Sequence, residues 1–122
     1  MAVLAAGRDA ARATAHRAAA RCHIEEHLTN PGLSADQIAA AIGISERQLS
    51  RVFAADGTSV PRHVLTRRLQ LAYSILAAPP PARGEAGETV ADVAARCGFT
   101  SADYFSHVFR QHFGLRASDL RR

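Results

Sequence analysis

Two stretches of this chain spell the same construction. Residues 43–53 read GISERQLSRVF, and residues 98–109 read GFTSADYFSHVF. Each opens on glycine and an apolar residue, passes through a hydroxyl, and closes on Val-Phe. Four residues before each glycine stands an alanine, Ala39 in one copy and Ala94 in the other. An alanine there lets a second helix approach closely. The glycine allows the positive φ that ends one helix and re-aims the chain into the next.

Ile44 and Phe99 follow directly and are placed to pack beneath the turn. Leu49, Val52 and Phe53, and in the second copy Phe105, Val108, Phe109 and Phe113, recur at the spacing of one buried helix face. The pattern is a helix-turn-helix, written twice. Capping signals frame it: Ser34-x-x-Gln37, Ser45-x-x-Gln48, Thr89-x-x-Asp92 and Thr100-x-x-Asp103 each set a hydroxyl three residues before a group that can cap back.

The remainder also reads as helix. Residues 8–28 form an alanine-rich stretch closed by Thr29-Asn30-Pro31-Gly32. From Pro61 to Ala77 runs a longer segment, with proline near its start where a missing N–H costs nothing. Leu65, Leu69, Ala72 and Leu76 give it one apolar stripe, widened by Val64, Leu71 and Ile75. At ~1.5 Å per residue it would reach roughly 25 Å; with the widths of the flanking motifs added, that suits two recognition helices in successive major-groove segments of ~34 Å period. Residues 78–88, APPPARGEAGE, carry too much proline and glycine for regular structure and are expected to be an exposed loop.

Composition narrows the class. The net charge is +4, and all fifteen basic side chains are arginine. Arginine favours carboxylate and phosphate partners because its fork binds them bidentately. No apolar run approaches the ~18 residues of a membrane span, so no membrane partner is expected and the chain is expected in the cytoplasm. Cys22 and Cys97 make no disulfide framework and read as small apolar residues kept reduced. Cys22, His23 and His27 lack further ligands for zinc, so no metal or other cofactor is expected. Catalysis needs a nucleophile beside a base and an orienting group; the serines read better as caps and polar faces, so no enzyme is expected. Arg8, Arg12, Arg17 and Arg21 fall near one another on a helix and read as a solvated face, the alternative being a contact to a partner or to DNA.

L-x-R-x-F at Leu49, Arg51 and Phe53 resembles part of a known family. So does GF-T-S-x-x-YF-x-x-x-F-R-x-x-FG, at Gly98, Phe99, Thr100, Ser101, Tyr104, Phe105, Phe109, Arg110, Phe113 and Gly114. Together they resemble the DNA-binding domain of AraC/XylS-type bacterial transcription regulators, over about residues 20–122. The resemblance implies an all-α fold of about seven helices, two helix-turn-helix subdomains joined by a long linking helix. The expected division is an N-terminal linker or helical extension at 1–20 and the DNA-binding domain at 21–122. Within it the first motif takes about 34–54, the linking helix about 61–77 and the second motif about 89–113.

Carried over position by position, the resemblance implies Arg47, Ser50 and Arg51 as base-facing in the first recognition helix, with Ala102, Asp103 and His107 in the second. Ser45, Ser101, Ser106 and Arg110 complete the expected DNA-binding set. Asp103 either caps its own helix or accepts from cytosine, the cap being the favoured reading. The first motif is thus expected to carry most of the sequence reading. The implied partners are double-stranded DNA and RNA polymerase, with a small-molecule effector acting only through a domain absent from this chain. The chain is expected to be the C-terminal fragment of a longer, effector-responsive regulator, the alternative being one of the family's short stand-alone members. The rival reading is a helical protein-interaction module with weak, non-specific DNA affinity.

Several positions depart from the family pattern. Val60 stands where proline is usual, His63 where an aromatic is usual, and His107 where arginine is common. The ending GLRASDLRR lacks the family's Thr-Pro, and the proline-rich loop is longer than usual.

Overall fold

The computed structural model describes residues 2–79 and 88–121, with side chains from residue 7 onward. Six α-helices follow in order among them: α1 (Ala2–His27), α2 (Ala35–Ile42), α3 (Glu46–Ala54), α4 (Val60–Ala77), α5 (Val90–Arg96) and α6 (Ala102–Phe113). A 3-10 turn, Ala117–Arg121, closes the chain. No strand occurs among the described residues, so the fold is all-α. No helix there is long and apolar enough to cross a membrane. The expected loop at 78–88 lies outside the described residues except at its two ends.

The chain packs as two units. The first joins the residues up to His27 with Leu33–Val64. Alanine supplies α1 with its helical propensity, and Ala20 and Ile24, four apart, are fully buried. Ile38 and Ala39 of α2, and Leu49, Val52 and Phe53 of α3, complete this core with Val60 and Val64. His63 packs its ring 5.4 Å from that of Phe53, which is how a histidine fills an aromatic's place.

Two arginines of the α1 row, Arg17 half-buried and Arg21 exposed, pair with an acid. Arg17 Nε lies 3.1 Å and Arg21 Nη2 3.0 Å from Asp56 Oδ2, just beyond the end of α3. The Arg17 side chain is only 21% exposed and that of Asp56 32%, so the pairing is partly shielded from water. Helical spacing placed these arginines together, but their acidic partner sits on a distant turn that no local pattern announces.

The second unit joins Leu28–Gly32 with the residues from Leu65 on. Its core gathers Leu69, Ala72 and Leu76 of α4, Val93 and Ala94 of α5, and Phe105, Val108 and Phe109 of α6. The aromatic spacing of the sequence becomes a chain of rings. Phe99 meets Phe105 edge-on at 4.9 Å, Phe105 lies 5.4 Å from Phe109, and Phe109 lies 4.7 Å from Phe113. Tyr73 of α4 closes on Phe113 at 4.8 Å. Such pairs add about 0.5–1.5 kcal/mol each beyond their buried area.

Helix α4 begins one residue before the expected Pro61. The Ser59 hydroxyl accepts the Arg62 N–H at 3.2 Å, and this local cap draws Val60 into the first turn. Cys97 is buried as expected, and burial raises its thiol pKa. Cys22 is exposed, contrary to its reading as a small apolar residue.

Candidate nucleic-acid interface

The two turns repeat at the level of single hydrogen bonds. Ile44 N–H donates to the Ala39 carbonyl at 3.0 Å, and Phe99 N–H donates to that of Ala94 at 3.0 Å. Gly43 takes φ +78 and Gly98 φ +96, values that side chains with a Cβ rarely adopt. Gly98 is constrained twice. A Cβ there would stand 2.9 Å from Arg68 Nε and 3.0 Å from the Leu28 carbonyl oxygen. Arg68 donates to that same carbonyl at 2.9 Å and to the Asn30 carbonyl at 2.7 Å, binding the 28–32 segment to the second motif.

Two of the four expected capping boxes form in full. Ser45 accepts the Gln48 N–H at 3.1 Å while Gln48 Oε1 accepts the Ser45 N–H at 3.1 Å. Thr89 and Asp92 exchange the same pair of bonds at 3.0 and 3.1 Å. Those bonds from Thr89 hold the Asp92 carboxyl below the usual aspartate value. The other two fail for local reasons. Ser34 donates its hydroxyl to Asp36 Oδ1, which lowers the Asp36 pKa and leaves no side-chain cap on α2. In the second motif the cap is Ser101, which accepts the Tyr104 N–H at 3.1 Å. The turn is one residue longer there: the N-cap stands two residues after Gly43 but three after Gly98. Asp103 therefore falls at the second position of α6 and makes no side-chain hydrogen bond among the described residues.

Counting from the N-caps aligns α3 with α6. Leu49, Val52 and Phe53 match Phe105, Val108 and Phe109, and all six are buried. On the outer face Arg47, Ser50, Arg51 and Ala54 match Asp103, Ser106, His107 and Arg110, and all eight are exposed. These are i, i+3, i+4 and i+7 stripes, so each set shares one face of its helix. Arg47, Arg51 and Arg110 form no side-chain ion pair among the described residues, leaving three guanidinium forks available. The α3 stripe carries two arginines and no acid. On α6 an acid lies near the start and an arginine near the end.

Every expected site residue thus lies on or at the start of α3 or α6, each group on its own helix. Ser45 and Ser101 use their oxygens as caps, and Ala102 opens α6 as an exposed methyl. Three neighbours of these stripes lie outside the expected set. Tyr104, 51% exposed, sits next to Asp103 on the first turn of α6. Arg12 and His16 of α1 line a cleft of about 310 Å³ with Asp9, Ala13, Gln48, Val52 and Arg51. The arginine row carried the only signal of Arg12, and spacing alone could not aim it at α3.

Residues 38–122 match the family model described as a helix-turn-helix domain. The chain is 36% identical over 118 residues to the transcriptional activator RhrA of Rhizobium meliloti, covering 95% of this chain and 36% of that protein. It thus spans about a third of that relative's length. A transcriptional regulator of Chromobacterium violaceum, described as having an AraC-type DNA-binding domain, superposes with TM-score 0.75 at 28% identity, covering 91% of this chain and 93% of the other. The DNA-binding domain of AdpA, solved in complex with a target DNA, superposes with TM-score 0.69 at 25% identity, covering 85% and 87%.

Proposed function

The chain belongs to the AraC-type family of helix-turn-helix transcription regulators, which are not enzymes, and on that premise we propose that it reads promoter DNA with α3 and α6. The observation that carries this reading is the pair of exposed stripes, each set by its N-cap and backed by a buried stripe. In this reading each helix enters its own segment of major groove. Arg47 and Arg51 are the readers: a guanidinium fork matches guanine O6 and N7, worth ~1–3 kcal/mol of discrimination for a bidentate pair. Ser50 and Ser106 serve as shorter polar contacts. Ala102 offers a methyl contact to thymine, and Asp103 accepts from cytosine N4 or excludes bases that lack a donor there.

The remaining groups position the domain. Arg110 and His107 face phosphate, as does the Tyr104 hydroxyl. Arg12 and His16, beside Arg51, extend the same contact along the flanking backbone. Since the chain spans about a third of its relative RhrA, we take it as the C-terminal part of a longer regulator. RNA polymerase is then a second partner, and an effector acts through a domain outside this chain.

The test is selection from a random duplex library, followed by sequencing of the bound pool. One chain with two different stripes should enrich an asymmetric site of roughly 20 bp, about two turns of duplex. A pool no richer than its input would overturn the reading in favour of a protein-interaction module. A strictly palindromic site would overturn the assignment of unlike roles to α3 and α6.

A further inference from the structure

The last turns of α1 hold a cluster that DNA binding does not explain. The helix stays regular to its final residue, His27. His23, Glu26 and His27 therefore stand at i, i+3 and i+4 and project from one face. Their candidate ligand atoms, one from each, all lie within 4.8 Å of one another. The two imidazole rings are 4.3 Å apart between centroids. In sequence the histidines look short of ligands; the helix supplies Glu26 as a third.

We propose that His23, Glu26 and His27 form a binding site for a borderline divalent transition ion such as Zn²⁺, Ni²⁺ or Cu²⁺. Two ligand atoms on a tetrahedral ion with bonds of ~2.0–2.1 Å stand roughly 3.3 Å apart. The cluster must close by about 1.5 Å to reach that spacing, which is within side-chain rotation for groups at the surface. Glu26 and His27 are exposed and His23 is half-buried, so most of the closing movement falls to the two exposed groups. Two imidazole nitrogens with one carboxylate oxygen suit zinc, nickel and copper, whereas magnesium and calcium prefer all-oxygen sets.

The electrostatics agree. The site lies at the C-terminal end of a long helix, where unpaired carbonyls carry partial negative charge and favour a cation. The nearest arginine before it on α1, Arg21, is held by Asp56. Water would complete the coordination. A bound ion bridges successive turns of the helix that also carries Arg17 and Arg21, so the stability of the first unit becomes linked to free metal.

The test is thermal unfolding and calorimetric titration of the whole chain with Ni²⁺, and with Mg²⁺ as the hard-ion control. A saturable rise in Tm with Ni²⁺ and none with Mg²⁺ is expected. His23→Gln and His27→Gln should each weaken binding at least about tenfold, since even outer-sphere partners of a metal cost that much. Glu26→Gln should weaken it less, and Cys22→Ser should leave it unchanged. Calorimetry well below each variant's own Tm keeps the comparison sound if His23→Gln loosens α1, and Glu26 and His27 are exposed in any case. No Ni²⁺ effect, equal affinity in the His23→Gln/His27→Gln double variant, or loss of binding with Cys22→Ser would each overturn the site.

Discussion

Asp103 occupies in α6 the position that Arg47 occupies in α3, each the second residue after its N-cap serine. The same frame, the cap and the buried stripe, thus presents opposite charges at one place. At a phosphate-lined groove the acid repels the backbone whatever the base sequence. Asp103→Asn should therefore tighten binding to random DNA. If the carboxylate also reads a cytosine, the variant loses preference at a single base position in the second half-site. Binding to both DNAs at fixed salt checks this; unchanged affinity on both would place Asp103 away from DNA.

The clamp on Asp56 ties α1 to the turn that follows α3. Removing the acid leaves Arg17 and Arg21 without it, at a place already partly withdrawn from water. Asp56→Ala should lower stability by about 1 kcal/mol, in the upper part of the range for exposed pairs. The cost should shrink in high salt. Urea unfolding at two ionic strengths measures both.

The glycines of the two turns are not equivalent. Gly43 needs its positive φ, but a Cβ there would meet nothing within 4 Å. Gly98 needs its φ and also the space held by Arg68 and the Leu28 carbonyl. Gly43→Ala should cost about 1–2 kcal/mol, the left-handed penalty alone. Gly98→Ala should cost more, because a backbone oxygen cannot step aside as a side chain can. Equal losses in denaturant midpoint would contradict the crowding at Gly98.

Most of the frame was readable from residues. Ala39, Gly43 and the stripe through Leu49, Val52 and Phe53 follow from steric rules and helical period, and their second copies follow likewise. Those rules also expose Arg47, Ser50 and Arg51, since the outward face is what the buried stripe leaves over. The place of the second cap was not readable. Thr100 and Ser101 are both good capping residues in adjacent positions, and the fold uses the later one. Nor was the pairing of Arg17 and Arg21 with Asp56, or the convergence of Arg12 on Arg51, because these join residues far apart in the chain. The third group beside His23 and His27 was within reach, since helical spacing alone puts Glu26 there.

The box at Thr89 adds a pH signature. Hydrogen bonds from Thr89 lower the Asp92 pKa below its ordinary 3.8. A lowered folded-state value means stability that is present above the unfolded pKa and lost as pH falls through the folded one. Wild type should therefore exceed Asp92→Ala in stability at neutral pH, and the gap should narrow only below about pH 4. A gap that closed between pH 5 and 7 would point to another group.

Division of labour between reading and positioning is tested most directly by measuring affinity for the selected site and for random duplex across a salt series. Arg47→Ala and Arg51→Ala should each cost ~1–3 kcal/mol on the selected site. They should cost clearly less on random DNA, where the guanine they read is missing. Arg110→Ala should weaken both complexes alike and flatten the salt dependence by about one ion. Equal losses on both DNAs for Arg47→Ala and Arg51→Ala would contradict the assignment of sequence reading to α3.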